Sequence, residues 1–547
     1  MAAIDATSGD DIAPVVEAAP AARRLNRLLA IMLVVFAVLA GRAIQLSFAG
    51  APATARAAPT VVAPLLARAD LVDRKGVLLA TMIPSWILAA QPAKVWDPHA
   101  TAQKLAAAVP GLDVAETERR LTGDRGLVYL KRGLTASQRQ AVHDLGLAGV
   151  TFEKEQRRVY PNGLLAGHAL GFVDRDLAGA AGVERALDAE IRRAGAAGRP
   201  LTLSLDLRVQ YALESELADA AWAAKAKGGA GVILDGRTGE TLAIASWPQV
   251  DPNAPGGGAD SARLNRAAGA VYEMGSTVKP FTAAMALDLD LLRLAEHFDL
   301  TRTLMVGGVA IRDPHPFVGP ATAREAMAHS SNVVAAELAL RVGASRQQAY
   351  LDRLGLFDRS SIELSEAPAP LKPRASDQLT TAILGYGHGM APSVVSLAGA
   401  YTVFVNRGVR VAPTLLRHAE GDPIHSTPVF TGLAVQETLQ LMRDVVIEGT
   451  AMRADLGGLD IAGKTGTAEK PGADGKYDPD KLFSSFAAVF PARAPRYVIV
   501  VALDEPRRTA ENHNLATGGA VAAPAVGRVV ARIAPFLAPN APMKDAP

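Results

Sequence analysis

Strand-forming runs stand at the two ends of the stretch from residue 199 to 537, with helical sequence between them. "GAGVILDGRTGETLAIASWP" carries two β-rich runs joined by a glycine-containing turn at Asp235 to Glu240, which reads as a hairpin. "LDIAGKTGTAE", "FSSFAAVFP" and "YVIVVALDEP" supply three more strands far downstream, with Ala494 and Pro495 at the turn between the last two. Strands at both ends of the stretch, with helices before, between and after, fit an antiparallel sheet covered on two faces by helices. "LTLSLDLRVQYALESELADAAWAAKAKG" precedes the hairpin as a strand and then an amphipathic helix from Asp206, and an apolar helix from about Ala520 to Phe536 closes the stretch. Residues 276–445 read as mainly helical, interrupted by "TLMVGGVAIRD", a small hairpin with Gly307–Gly308 at its turn. The fold class is α/β.

At 547 residues the chain exceeds one core. Arg23, Arg24 and Arg27 precede an uncharged run from Leu28 to Gly41, which Arg42 interrupts before the apolar character resumes. With Arg42 extended toward the outer interface, Leu25 to Leu46 is long enough to span a bilayer. The Arg excess before the run places the N-terminus inside. A cleaved signal peptide competes, because small residues follow at Ala49, Gly50 and Ala51; the long lead-in and Pro52 favour a retained span. The expected order is a cytoplasmic tail (1–24), a transmembrane anchor (25–48), a tether (49–66), a mixed α+β pedestal (67–198), a catalytic domain (199–537) and a flexible end (538–547). In the pedestal, polar helical stretches at 114–122 and 135–145 alternate with short apolar runs, Val77 to Ala80 and Trp86 to Ala90 among them. No nucleophile constellation stands there, and Arg68, Asp73 and Arg74 are as consistent with structure as with function.

A net charge of +2 gives no sign of a nucleic-acid partner. Without cysteine there are no disulfides, thiolate nucleophiles or thiolate-bound metals, and the ten histidines show no metal-ligand spacing. No cofactor is expected.

Chemistry concentrates in "YEMGSTVKPFTAAMAL". Ser276 and Lys279 are three residues apart, so a helix sets them on one face within hydrogen-bonding reach. Gly275 and Pro280 both fit a helix start, where free N–H groups face the serine. A serine hydroxyl needs a base, and a desolvated lysine supplies one. The pair alone is weak, and a surface helix turn explains it equally well. Ser330-Ser331-Asn332 opens another apolar-periodic helix, where it also reads as an ordinary N-cap. Lys464-Thr465-Gly466-Thr467 lies on a predicted strand, where glycine implies either a bulge or a close backbone approach. Taken jointly, Ser276 attacks a peptide carbonyl, Lys279 takes its proton, and Ser330 with Lys464 nearby returns a proton to the leaving amine. The Lys464 strand pairs with the substrate, Gly466 permits the approach, and Lys464 with the Thr465 and Thr467 hydroxyls suits a carboxylate.

The order SxxK, SxN, KTG is shared by class A β-lactamases and penicillin-binding proteins. With "LVDRKGVLLA" (71–80), "RVYPNGLLAGHALGFVD" (158–174), "AGVE" (181–184), "LTLSLDLRVQ" (201–210) and "NRA" (265–267), residues 24–530 resemble class B penicillin-binding proteins. The resemblance implies a penicillin-binding/β-lactamase-like transpeptidase domain behind a non-catalytic, dimerisation-type pedestal and one transmembrane helix in the inner membrane, with the catalytic domain periplasmic. It implies peptidoglycan stem peptides as donor and acceptor, β-lactams as covalent inhibitors, and a membrane glycosyltransferase and division proteins as partners. Ser276 becomes the acyl-ester nucleophile, Lys279 its base, Ser330 and Asn332 the second motif and Lys464 the start of the third. Backbone N–H groups of Ser276 and Thr467 become the oxyanion donors. "GYGHGMAP" (385–392) is more similar to the septal-division (FtsI) type than to the elongation type, although Met274 and "APSVVSLA" depart from the usual pattern. An elongation role, a carboxypeptidase or β-lactamase, and a division scaffold with a vestigial site are the alternatives; a β-lactam sensor fits less well.

Overall fold

The computed structural model describes residues 19–48, 68–123, 126–257, 260–314, 317–472 and 475–537. The expected tether, the final tail and most of the N-terminal tail lie outside these residues. The chain divides into two compact units, Met1–Leu66 and Ala67–Pro547.

In the first unit, Ala19–Phe48 is one helix of 30 residues. At 1.5 Å per residue it reaches about 45 Å. Leu28, Leu33, Phe36 and Leu39 stand out from it, exposed. Arg42 turns its guanidinium to Gln45, 2.8 Å away.

The second unit holds two five-stranded sheets. Leu78–Ala90 is the axis of the first, paired antiparallel with Val150–Val159 and, from Trp86 on, with Val128–Leu134. Both apolar runs expected in this region belong to that single strand. Pro84 is tolerated inside it because only one side is paired there, so no ladder bond is lost. Val114–Leu121 and Ala136–Asp144 are helical, as the sequence pattern predicts. The conspicuous charges here are structural. Glu184 is fully buried and accepts from Arg68 (Nη2, 2.5 Å) and Arg158 (Nε, 2.7 Å), while Arg68 also pairs with Asp188. Asp73 accepts from the backbone of Lys75, Val77 and Leu207, and Arg74 reaches Glu240 at 3.1 Å. The contacts to Leu207 and Glu240 join residues 67–198 to the domain that follows.

The second sheet runs Ala462–Pro471, Tyr477–Phe490, Tyr497–Asp504, Gly228–Asp235, Thr241–Trp247, all antiparallel. The two distant strand groups are thus one sheet, joined where Tyr497 to Asp504 pairs with Asp235 to Gly228. Leu207–Ala223, capped by Asp206, and Gly518–Leu537 pack on it and on each other. Gly229 and Gly231 allow the close fit: a Cβ at either would stand 2.9 or 2.8 Å from a leucine methyl of the first helix. Gly518–Leu537 has the length and hydropathy of a membrane span, yet 61% of its apolar window is buried; it is the core helix of this domain. Val394–Tyr401 packs on the three central strands and Gly432–Ile447 on the edge strand Ala462–Pro471. Helices Lys279–Asp288 and Asn332–Val342 lie beyond them, with the expected hairpin at Leu304–Val306 and Val309–Ile311.

Candidate active site

Ser276 sits in a 3-10 turn, Gly275–Val278, that leads directly into helix Lys279–Asp288 with Pro280 in its first turn. The turn is held from both sides. Thr277 donates its hydroxyl to Met274 O (2.8 Å), and Tyr401 OH donates to Thr277 O (2.7 Å). Phe281 anchors the helix below, 5.1 Å from Tyr401 and 5.5 Å from Phe404 between ring centres. The Gly-Tyr-Gly segment closes the other side: Gly275 N donates to Gly387 O at 3.1 Å, and a Cβ at Gly387 would stand 2.0 Å from Gly275 O. Glycine at 387 is therefore a close-approach requirement, and φ of +87° adds to it.

Lys279 is fully buried at the centre. Its Nζ lies 2.6 Å from Ser330 O, 3.1 Å from Ser330 Oγ and 2.8 Å from Asn332 Oδ1. The hydrogen bond expected between Ser276 and Lys279 is not formed. The amine's three bonding directions go to the second motif instead, which the spacing within one helix could not reveal. Ser330 adopts a left-handed φ of +66°, uncommon for serine, while both its carbonyl and its hydroxyl engage the lysine. Ser331 is the N-cap of helix Asn332–Val342, accepting from Val334 N at 3.1 Å. So the ordinary-cap reading holds for Ser331, while Ser330 and Asn332 on either side of it turn to Lys279.

Asp313 fixes this motif and sequence reading missed it. Its carboxylate accepts from Ser331 Oγ (2.8 Å), Asn332 N (2.5 Å) and Val333 N (3.1 Å). Its one sequence signal is its position, two residues after the small hairpin.

The third motif lies on the edge strand, Lys464 opposite Ala487 and Thr467 opposite Ser484. Gly466 carries the approach expected of it: a Cβ would fall 2.6 Å from Met274 O, 2.7 Å from Ser485 Oγ and 2.8 Å from Thr277 Cγ2. Thr467 O lies 3.1 Å from where a Cβ on Gly275 would stand, which sets the Thr467 backbone beside the Ser276 turn. Thr465 Oγ1 is 2.6 Å from Thr450 Oγ1, and Thr467 Oγ1 accepts from Gly518 N at 3.1 Å, two partners that local pattern does not show. Lys464 is fully buried, with Thr465 O at 3.2 Å; no hydrogen bond joins it to Ser330 among the described residues.

Electrostatically, burial works against the charged form of both lysines. Burial pulls Lys464 down to about 7. Burial also holds Lys279 well below its usual range, reinforced by the Lys464 charge and opposed by Asp313. A cleft of about 660 Å³ opens onto Ser276, Ser330, Asn332, Thr465 and Thr467.

Residues 229–531 match the family model described as the penicillin binding protein transpeptidase domain. The chain belongs to the penicillin-binding protein transpeptidase family. Residues 66–198 match the penicillin-binding protein dimerisation domain. The probable peptidoglycan D,D-transpeptidase FtsI of Caulobacter vibrioides is 42% identical over 480 residues, spanning 86% of this chain and 81% of the relative. Peptidoglycan D,D-transpeptidase FtsI of Escherichia coli is 30% identical over 495 residues, 85% of this chain and 82% of that one. Penicillin binding protein 3 from Mycobacterium tuberculosis, solved with aztreonam, superposes with a TM-score of 0.67 at 25% identity, covering 88% of this chain and 98% of that chain. The class B penicillin-binding resemblance and its fold are borne out. The class implies a peptidoglycan substrate and β-lactam binding.

Proposed function

We propose that this chain is a peptidoglycan D,D-transpeptidase of the septal-division type, cross-linking stem peptides through an acyl-enzyme on Ser276. The observation that carries the reading is the convergence of Ser330 and Asn332 on the buried amine of Lys279, one turn from Ser276. A neutral Lys279 donates two N–H bonds, to Ser330 O and Asn332 Oδ1, while its lone pair, which meets the Ser330 hydroxyl at 3.1 Å at rest, is the acceptor for a hydroxyl proton. Ser276 Oγ attacks the carbonyl of the penultimate D-alanine while Lys279 receives its proton. Backbone N–H groups of Ser276 and Thr467 stabilise the oxyanion. The proton returns through Ser330 to the leaving D-alanine, and an acceptor amine then takes the acyl group from Ser276. The donor peptide pairs with the free edge of Ala462–Pro471, with Lys464, Thr465 and Thr467 at its carboxylate.

Residues 25–48 anchor the enzyme in the inner membrane with residues 1–24 cytoplasmic, 49–66 tether it, 67–198 serve as a non-catalytic pedestal, and 199–537 act outside the cytoplasm at the septum. The exposed apolar residues of the first helix support the anchor. A membrane glycosyltransferase and other division proteins are the protein partners. The test is Ser276→Ala: covalent penicillin labelling and cross-linking disappear while membrane targeting persists, and retained covalent labelling refutes the assignment.

A further inference from the structure

One wall of the cleft carries a histidine for which the acylation scheme has no use. His388 lines the same cleft as Ser276 and Ser330. Its Nδ1 is shut off from solvent and has no hydrogen-bond partner, and no side chain among the described residues bonds the ring. The ring stands between Tyr386, 5.2 Å away, and Tyr477, 6.0 Å away and edge-on. Around it the charge is negative. Glu273 is pinned by Gly389 N (2.8 Å) and Tyr477 OH (2.9 Å), and Glu469 lines the cleft as well. Burial keeps the imidazole neutral below its usual range, Glu273 and Glu469 opposing and Lys279 reinforcing.

We propose that His388 is the general base for the acceptor amine. The inference rests on the transpeptidase reading above. An acceptor side-chain amine arrives as an ammonium ion, its ordinary pKa near ~10, and must lose a proton before it can attack. Glu469 in the cleft draws the cation to this wall, Glu273 adds its charge from the neighbouring cavity, and His388 takes the proton on Nε2, since Nδ1 is sealed off. The free amine then attacks the acyl-enzyme carbonyl. A C–N bond forms, the C–O bond to Ser276 breaks, and the amine's second proton passes through Lys279 to Ser276 Oγ. Protonated His388 releases its proton to solvent. A neutral imidazole in the field of two carboxylates suits this task.

The experiment separates the two half-reactions in the full-length enzyme. Acylation is followed by labelled penicillin, and transfer by a D-alanyl thioester donor with D-alanine as acceptor, comparing wild type, His388→Ala, His388→Gln and His329→Asn across pH 6–9.5. Both His388 variants are expected to acylate within about threefold of wild type and to lose tenfold or more in transfer relative to hydrolysis at pH 7. The deficit shrinks as pH rises and the acceptor deprotonates unaided. Equal losses in acylation and transfer, a deficit that does not change with pH, or the same phenotype in His329→Asn (a second histidine of the cleft) overturns the proposal. Loss of penicillin labelling in Ser276→Ala with a normal His388 profile, or the reverse, shows which of the two readings fails. Should His388→Ala not fold, His388→Gln, which cannot accept a proton at neutral pH, decides alone.

Discussion

Replacing Gly466 by alanine tests the central geometric claim, that the edge strand is held against the nucleophile's turn. The new Cβ meets three atoms from two sides: Met274 O at 2.6 Å, Ser485 Oγ at 2.7 Å and Thr277 Cγ2 at 2.8 Å. Ordinary contact begins at 3.4 Å, so the shortfall at the Met274 carbonyl is 3.4 − 2.6 = 0.8 Å. Among the described residues Ser485 Oγ has no partner, and it rotates away at little cost. Met274 O is backbone, and Thr277 is locked by its own bond to that carbonyl, so neither yields. Relief comes from the strand backing away from the turn by a large part of that distance. Overpacking of this kind costs ~1–3 kcal/mol, and a reacting group misplaced by about 1 Å loses on the order of 100-fold in rate. Gly466→Ala is therefore expected to slow penicillin acylation by about 10–100-fold and to lower Tm by a few degrees. Stopped-flow acylation and thermal unfolding measure the two. Gly256→Ala, where a Cβ meets nothing within 4 Å, should change neither. Wild-type acylation in Gly466→Ala would refute the reasoning, because the Thr467 N–H would then not depend on this contact.

Removing the charge of Glu184 leaves Arg68 and Arg158 buried without their shared carboxylate, so Glu184→Gln should cost about 3–5 kcal/mol; calorimetry should show the loss while acylation by the folded enzyme at low temperature is retained. Lys464 titrates near 7 when folded and at 10.5 when unfolded. Between those values the unfolded chain holds the extra proton, so stability rises with pH, and the full penalty, on the order of 5 kcal/mol as an upper bound, applies below pH 7. Lys464→Met should thus raise Tm at pH 6.5, with the gain fading toward pH 10, while abolishing acylation; a gain that grows with pH contradicts the sign. Asp313 holds the Lys279 pKa up against burial, so Asp313→Asn should move the acidic limb of the acylation pH profile to lower pH, and a shift to higher pH counts against Lys279 as the base.

The strand and helix pattern was legible wherever the hydrophobic period was local. Asp206 caps its helix, Gly307–Gly308 turns its hairpin, and the five strands of the catalytic sheet lie where their runs predict. Leu78–Ala90 was read as two pieces because Pro84 breaks the pattern, and only its one-sided pairing explains why the strand continues. At the site the motif residues were legible as types and their partners were not. Lys279 binds Ser330 and Asn332 rather than Ser276, a choice made by how two helices meet and not by spacing within one of them. Asp313, Thr450, Gly518 and His388 act through contacts to residues far away in the chain, so no window of sequence holds the signal.

The position of the site follows from the topology of the sheet. Ala462–Pro471 is an edge strand, paired on one side only, and an exposed edge is ordinarily a liability for aggregation. Here the Ser276 turn, backed by Gly387, covers part of that edge through backbone contact, and Gly432–Ile447 packs against the strand. What the turn leaves uncovered is a short run of backbone beside a nucleophile, able to pair with one extended peptide. Two fully buried lysines destabilise this same junction. Folding tolerates them because the core around Phe281, Tyr401 and Phe404 on one side and the joined hairpins on the other hold the junction closed. The sheet that binds substrate and the core that depresses the two amines are thus a single construction, and a change that loosens the strand should weaken acylation before it unfolds the protein.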